Sequence, residues 1–369
     1  MTEPSQQASN SNSSNLKVGV VGLGYAGTTH MKAFSKHPET TLMAIAGKEL
    51  DRLPVLAAEF NVEITASDWE DLVQNPDIDI ISIATPNALH HPIAVAALEA
   101  GKHVFCEKPL AITAEQAEQM VAAAKANHRI LEVAFNYRRR ADIGMARDLV
   151  SSGKLGWVYH SRVSWKRRAG IPGINSWFTS AQLAGGGAAI DLGPHLIDSL
   201  LYMLGEPKVV AVSAVTHGDL GRAGYGAMDS AMQMKSATGK FEVEDLCSAL
   251  LRLDDGSSVA LEITWASHAV DDEDISFELL GVDSGIRIYI PRYETEDTIS
   301  IFSDVDGEHT VSQPKISSTG EGHLAVLNEF IEHVASGDFS KYSGDYALHR
   351  TKIIDGLYRS AKAGKEVTI

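Results

Sequence analysis

From Lys17 onward the chain alternates short apolar runs with stretches whose apolar residues recur at helical spacing. Val18–Val21, Leu42–Ala46, Ile80–Ala84, His103–Cys106 and Ile130–Ala134 are the largely apolar runs that parallel strands bury on both faces. Between them Ala26–His37, Asp51–Phe60, Ala88–Ala100 and Ala114–Asn127 read as helices. Strand and helix alternating at this interval predict a doubly wound parallel α/β sheet. Thr113 before Ala-Glu-Gln, and Ser67 before Trp-Glu-Asp-Leu, add helix-start signals.

After Tyr137 the pattern changes. Segments 157–165, 208–216, 246–253, 258–266, 274–280 and 286–290 read as strands, several separated by turn residues such as Asp254–Asp255–Gly256 and Asp283–Ser284–Gly285. Strands joined by tight turns are typically antiparallel. One helix, 194–204, interrupts them, and two more, 322–336 and 345–363, close the chain. No internal repeat is present.

Composition narrows the function classes. A chain of 369 residues is long for one core and suggests two domains. Its net charge of −16 disfavours nucleic acid or an anionic membrane as the general partner. Two cysteines, Cys106 and Cys247, make no disulfide framework and suit a reducing compartment, so a cytoplasmic location is expected. No apolar run is long enough to span a membrane. Residues 1–15 carry neither an apolar stretch nor a basic start; they read as a disordered tail rather than a secretory signal.

Gly22-Leu23-Gly24-Tyr25-Ala26-Gly27 is a G-x-G-x-x-G placed between the first strand and the first helix. The first glycine permits the turn, the second lets backbone approach a pyrophosphate, and the third allows close packing of helix on strand. The phosphate then meets a helix N-terminus. Gly22, Gly24, Tyr25, Ala26 and Gly27 are thus candidate contacts for a nicotinamide dinucleotide, in a Rossmann domain expected over 16–137. The second strand ends at Ala46-Gly47-Lys48-Glu49, with glycine where an acidic residue is usual. Lys48 is suited to a 2′-phosphate, and Glu49 to a ribose hydroxyl. NAD is expected, with NADP as the alternative.

Three segments fall beyond the carboxyl ends of later strands, where such sheets bind ligands: Thr85-Pro86-Asn87, Glu107-Lys108-Pro109 and Asn136-Tyr137-Arg138. A lysine desolvated there can share in proton transfer; the plainer alternative is a solvated Glu107–Lys108 pair. The sharper segment runs from Gly185-Gly186-Gly187 through Asp191 and Gly193-Pro194-His195 to Asp198. Pro194 suits a helix first turn, which would put His195 where the helix dipole keeps imidazole neutral. Asp191 would orient it, and the glycines would admit a ligand close to backbone. The plainer reading is a capping aspartate and a structural histidine.

Together the glycine fingerprint, Ala84-Thr85-Pro86-Asn87-x-x-His90, Glu107-Lys108-Pro109 and Asp191-x-Gly193-x-His195-x-x-Asp198 resemble the Gfo/Idh/MocA family, that of glucose–fructose oxidoreductase and inositol dehydrogenase. The resemblance runs from about Lys17 to the C-terminus. It implies a catalytic trio of Lys108, Asp191 and His195, with His195 as base, Lys108 as its partner and Asp191 on a substrate hydroxyl. It adds Thr85, Asn87, His90, Glu107 and Lys108 to the cofactor contacts and makes Pro109 cis. It also implies an α+β domain over 138–369 for substrate binding and oligomerisation, as a homodimer or homotetramer, with the C-terminal helix packing back on the first domain. Gly47 is the departure from the family pattern.

Residues 138–168 hold nine basic side chains against Asp142 and Asp148, in an acidic chain. Guanidinium groups pair with carboxylate, phosphate or sulfonate. The resemblance implies that this region borders the substrate cleft, which makes Asn136, Arg138, Trp165, Lys166 and Arg168, with Asp191 and His195, candidate substrate contacts; the alternative is a solvated strand end or an ion-pair network. His90-His91, Asp191 and His195 lack zinc-type spacing, so no metal is expected. The expected reaction is NAD-dependent removal of hydride from a secondary hydroxyl of a sugar, C3 the first candidate and an anionic sugar included. The rival is a redox glycosidase acting on a sulfoquinovoside, in which C3 is oxidised transiently and the hydride returns. A third class is a non-catalytic NAD-binding regulator.

Overall fold

The computed structural model describes residues 15–228, 241–269, 272–316 and 322–369. Of the expected tail, residues 1–14 lie outside the described residues.

The first sheet contains β1 (Leu16–Val21), β2 (Thr40–Ala46), β3 (Ile64–Ala66), β4 (Ile80–Ile83), β5 (His103–Cys106) and β6 (Leu131–Val133). All are parallel, in the order β3-β2-β1-β4-β5-β6. Buried on both faces, these strands can be nearly continuous in apolar residues. Helices α1 (Tyr25–Lys36) and α2 (Leu53–Phe60) cover one face through Met31, Phe34, Leu53 and Leu56. Helices α3 (Trp69–Gln74), α4 (His90–Glu99) and α5 (Ala114–Ala126) cover the other. Strand order reverses between β1 and β4, and at that switch point the carboxyl ends open a crevice. The Thr113 hydroxyl caps α5 by accepting the Gln116 N–H. Ser67 does not cap α3: Asp68 holds that position and Ser67 Oγ bonds its carboxylate instead.

After α6 (Ala141–Ser151), β7 (Val158–Arg167) starts the second sheet. α7 (Ala181–Ala184) and α8 (Ala188–Met203) follow, then β8 (Val209–His217), α9 (Asp219–Arg222), β9 (Leu246–Leu253), β10 (Ser258–Thr264), β11 (Glu273–Gly281) and β12 (Ser284–Pro291). β13 (Ile299–Val305), β14 (Glu308–Ser312), α10 (Gly322–Ser336), α11 (Asp345–Ala363) and β15 (Val367–Thr368) complete the described chain. This nine-stranded sheet is antiparallel except where β10 runs parallel to β7. Its alternate inward residues close on α8 and α11 in one core, with Val163, Trp165, Leu196 and Ile354 among them. α10 instead returns to the first sheet, where Leu327, Phe330 and Ile331 pack with Val18, Ile80 and Phe105.

Helix α8 departs from expectation. It starts at Ala188, six residues ahead of the expected 194, and carries Pro194 in its interior. The reason is a cap supplied from the segment just before β9. The buried Glu244 carboxylate accepts the N–H groups of Gly187 and Ala189 at 2.9–3.0 Å, satisfying donors the helix cannot satisfy itself. Pro194 forgoes its own N–H and sets its ring against the carbonyl of residue 190, a cost that the earlier cap and the buried packing of the helix counter. Asp191 therefore lies in the first turn and His195 about two turns in.

Candidate active site

The βα turn after β1 has the shape the fingerprint requires. Gly22 has φ +109°, and a side chain there would place its Cβ 2.1 Å from the Ala84 carbonyl oxygen. A Cβ on Gly27 would lie 1.9 Å from the Gly22 carbonyl oxygen, so helix and strand meet only through glycine. Gly24 caps α1 without a side-chain acceptor, which leaves first-turn N–H groups for an anion. Tyr25 is exposed and Ala26 partly so. The turn fits a pyrophosphate.

At the end of β2, a side chain on Gly47 would collide with Leu23, and the Glu49 carboxylate lies 3.2 Å from where that Cβ would sit. Lys48 is drawn aside by an ion pair with Asp68.

Beyond β5, Glu107 is buried. Its Oε1 lies 3.0 Å from His30 Nε2, and its Oε2 accepts the Lys108 N–H at 3.2 Å. The other His30 nitrogen meets Ser82 Oγ at 2.9 Å. His323, from α10, stands 3.7 Å from Glu107 and meets the Asn136 amide at 3.1 Å. Burial would raise the Glu107 carboxyl, but the His30 hydrogen bond and the charges of His30, His323 and Lys108 bring it down to about 2. It is a fixed anion at the crevice. The Lys108–Pro109 peptide bond is cis, as the resemblance implied.

Lys108 reaches across to α8. Its Nζ donates to Asp191 Oδ1 at 2.7 Å and to the Asp191 carbonyl oxygen at 2.8 Å. Asp191 Oδ2 accepts from Trp265 Nε1 at 2.9 Å. Burial opposes ionisation of this carboxyl, yet Lys108 and Arg167 outweigh it and hold it below the usual range. The His195 imidazole lies against Tyr137, ring centroids 4.9 Å apart, and near Trp165 at 5.8 Å. Its Nδ1 is buried without a partner among the described residues. Burial, then the Lys108 charge, push His195 well below its ordinary pKa. A neutral imidazole is thus maintained by desolvation and a neighbouring cation, not by a helix terminus.

Other expected contacts have different roles. Both ring nitrogens of buried His90 face backbone carbonyls, Pro109 at 2.8 Å and Thr85 at 3.0 Å, so it ties two loops together and does not reach the crevice. Asn87 is buried, its amide donating to the Ala184 carbonyl. Arg138 pairs with buried Asp198, which also holds Arg350. Lys166 and Arg168 do not join the site. Side chains alternate along β7, so Lys166 faces Asp274 on the opposite side of the sheet from Trp165. Arg168 is exposed beyond the strand end. The triple glycine approaches protein rather than ligand: Cβ atoms on Gly186 and Gly187 would strike Tyr358 and the Glu244 carbonyl.

The arginine on the Trp165 face is Arg167. Its Nε donates to Glu273 at 2.6 Å, and its guanidinium lies over the indole. Period-two alternation in Trp165-Lys166-Arg167-Arg168 selects Arg167, a signal available in the sequence. Trp265, Glu244, His30 and His323 carry no such signal, since each reaches the site only through long-range packing. Among the described residues no group of three or more His, Cys, Asp or Glu side chains is arranged to hold a metal. No described helix is long and apolar enough to cross a membrane.

Comparison with known proteins is consistent with this geometry. Residues 16–135 match the oxidoreductase family GFO/IDH/MocA, NAD-binding Rossmann fold, and residues 143–287 match the GFO/IDH/MocA C-terminal domain. Levoglucosan dehydrogenase of Pseudarthrobacter phenanthrenivorans is 31% identical over 328 residues, covering 84% of this chain and 83% of its own. D-glucoside 3-dehydrogenase of Escherichia coli is 29% identical over 368 residues, 97% of this chain and 98% of its own. Among solved structures, levoglucosan dehydrogenase in complex with NADH and L-sorbose superposes with a TM-score of 0.81 at 27% identity, covering 96% and 99% of the two chains. Aldose–aldose oxidoreductase from Caulobacter crescentus, in complex with glycerol, gives 0.77 at 26% identity, covering 96% and 100%.

Proposed function

Because the chain belongs to the GFO/IDH/MocA oxidoreductase family, with an NAD-binding Rossmann domain at its N-terminus, we propose that it oxidises a secondary hydroxyl, at C3, of a neutral sugar or glycoside. The observation that carries this reading is the Lys108–Asp191 pair beside a partly buried His195 whose Nδ1 is shielded and unpartnered among the described residues. The relatives named above act on levoglucosan and D-glucosides, which supplies the substrate class.

The α1 turn and Glu107 would hold the dinucleotide, with Glu49 on the adenosine ribose. Glu49 replaces the usual strand-end acid and would repel a 2′-phosphate, which favours NAD over NADP. When bound, nicotinamide supplies the hydride acceptor. Every other role falls to the chain. His195, uncharged at neutral pH, accepts the hydroxyl proton. Lys108 stabilises the developing alkoxide, and its charge keeps His195 from protonating prematurely. Asp191, fixed through both oxygens, orients Lys108 and accepts from a neighbouring sugar hydroxyl. Tyr137, backed by the buried Trp165, offers an aromatic face to the apolar side of the ring.

The cations near the site favour a neutral substrate. Arg167 is neutralised by Glu273, Arg138 by Asp198, and Lys166 and Arg168 lie elsewhere. A sulfonate or carboxylate on the sugar would find no free guanidinium among them. The test is incubation with NAD and a panel of neutral and anionic sugars and aryl glycosides, with NADH and released aglycone followed together. NADH accumulating in step with a keto-sugar, on neutral substrates first, is expected. Aglycone released without NADH would instead establish redox-assisted glycoside cleavage, and silence across the panel would leave a dinucleotide-binding regulator.

A further inference from the structure

β12 ends at Pro291, and the chain turns at once through Arg292 and Tyr293, with the Glu294 N–H donating to the Pro291 carbonyl at 2.9 Å. Both central residues have positive φ, 48° and 61°, a conformation that turns normally give to glycine, asparagine or aspartate. A backbone held this way persists only where its surroundings over-determine it. Here they fix one side chain. Arg167 Nη2 donates to Tyr293 Oη at 2.6 Å, and the Tyr293 ring meets Trp165 edge-on, centroids 6.2 Å apart. The anchor is itself locked: Glu273 accepts from both Arg167 Nε and Trp165 Nε1 at 2.6 Å, and its carbonyl takes the Arg292 N–H.

Tyr293 nevertheless remains 46% exposed. Its polar end is tethered while much of the ring stays open, which is the arrangement of a stacking platform: a rigid apolar plane that loses little entropy on binding. The buried Trp165 ring contacts both Tyr293 and His195, and Tyr293 is the exposed end of this aromatic group. With the C3 hydroxyl at His195 and Lys108, the far half of a pyranose carries the anomeric carbon outward. A substituent leading from there to solvent would have this exposed ring within its reach.

We propose that Tyr293 determines specificity at this outer position by stacking on the anomeric substituent, so that glycosides carrying a flat aglycone or a second sugar ring are favoured over simple ones. The inference rests on the sugar-oxidising reading above. It is tested by KM and kcat for methyl glucoside, phenyl glucoside and a disaccharide, in the wild type, Y293L and Y293F. The wild type has a KM for phenyl glucoside about tenfold below that for methyl glucoside. Y293L abolishes that ratio while the methyl glucoside KM stays within about twofold, and Y293F, which keeps the plane but loses the Arg167 tether, restores only part of it. Thermal midpoint and NAD affinity establish that each variant is folded. A wild type indifferent to the aglycone overturns the proposal even if Y293L does not fold. Equal KM increases on all three substrates, or a loss confined to kcat, also overturn it and leave Tyr293 as a prop for Arg167. A wild type that oxidises none of the three removes the functional reading and this inference together.

Discussion

Replacing Lys108 with methionine tests the centre of the site energetically as well as kinetically. Its Nζ lies 2.7 Å from Asp191 Oδ1, and both side chains are largely shielded, 16% and 13% exposed. At an effective dielectric near 20 their attraction is about 6 kcal/mol. Desolvation cancels much of that gain, but Lys108→Met leaves the Asp191 carboxylate without its main counter-charge, a loss of about 3 kcal/mol even with Trp265 and Arg167 remaining. Asp191→Asn alone costs about 2 kcal/mol, because Lys108 keeps the residue-191 carbonyl as an acceptor. The double variant buries no charge from this pair and should lie within about 1 kcal/mol of wild type, a coupling of about 4 kcal/mol or more. Denaturant unfolding of the four proteins, with no dinucleotide present, measures this directly. The variants lacking Lys108 should also lose about a hundredfold or more in kcat. Additive destabilisation would refute the reasoning, because the pair would then have no energetic identity.

Three further outcomes follow from individual contacts. Trp265→Phe removes the donor on Asp191 Oδ2; kcat should fall about tenfold, the equivalent of about 1.5 kcal/mol for a hydrogen bond to a charged group, with NAD affinity unchanged by calorimetry. Gly27→Ala forces a Cβ against the Gly22 carbonyl, so the Kd for NAD should rise about a hundredfold in a fluorescence titration, as about 3 kcal/mol of overpacking implies. His103 accepts the Ile130 N–H through Nδ1, and burial, then Arg129, lower its pKa from 6.5 to about 4. The unfolded chain therefore takes up this proton first. About 3 kcal/mol of stability, present above pH 6.5, should be lost as pH falls to 4. His103→Asn should flatten denaturation curves over that interval, and an unchanged pH dependence would count against the assignment.

The doubly wound sheet was legible because its strands are buried on both faces and so appear as apolar runs, each followed by an amphipathic stretch. β3 was not, being three residues long with an exposed Thr65 at its centre. β13 and β14 were missed for a related reason: Ser300, Ser303, Asp304, Glu308 and His309 interrupt any apolar pattern on strands that are half-buried and exposed respectively. Helix α8 was placed too late because proline marks a helix start only when nothing else caps the helix earlier, and Glu244 does so across 57 residues of sequence. The same long-range origin hid Trp265 and His323. Arg167 was different: strand alternation already placed it beside Trp165, while the run of neighbouring basic residues drew attention to Lys166 and Arg168.

The most direct measurement uses a glucoside carrying deuterium at C3, turned over with unlabelled NAD and examined by mass spectrometry. If Lys108, Asp191 and His195 present the C3 hydroxyl for oxidation, the label appears in the reduced dinucleotide, one per keto-sugar formed. Deuterium remaining on the sugar while NADH accumulates would contradict the account, since hydride would then have left from another carbon.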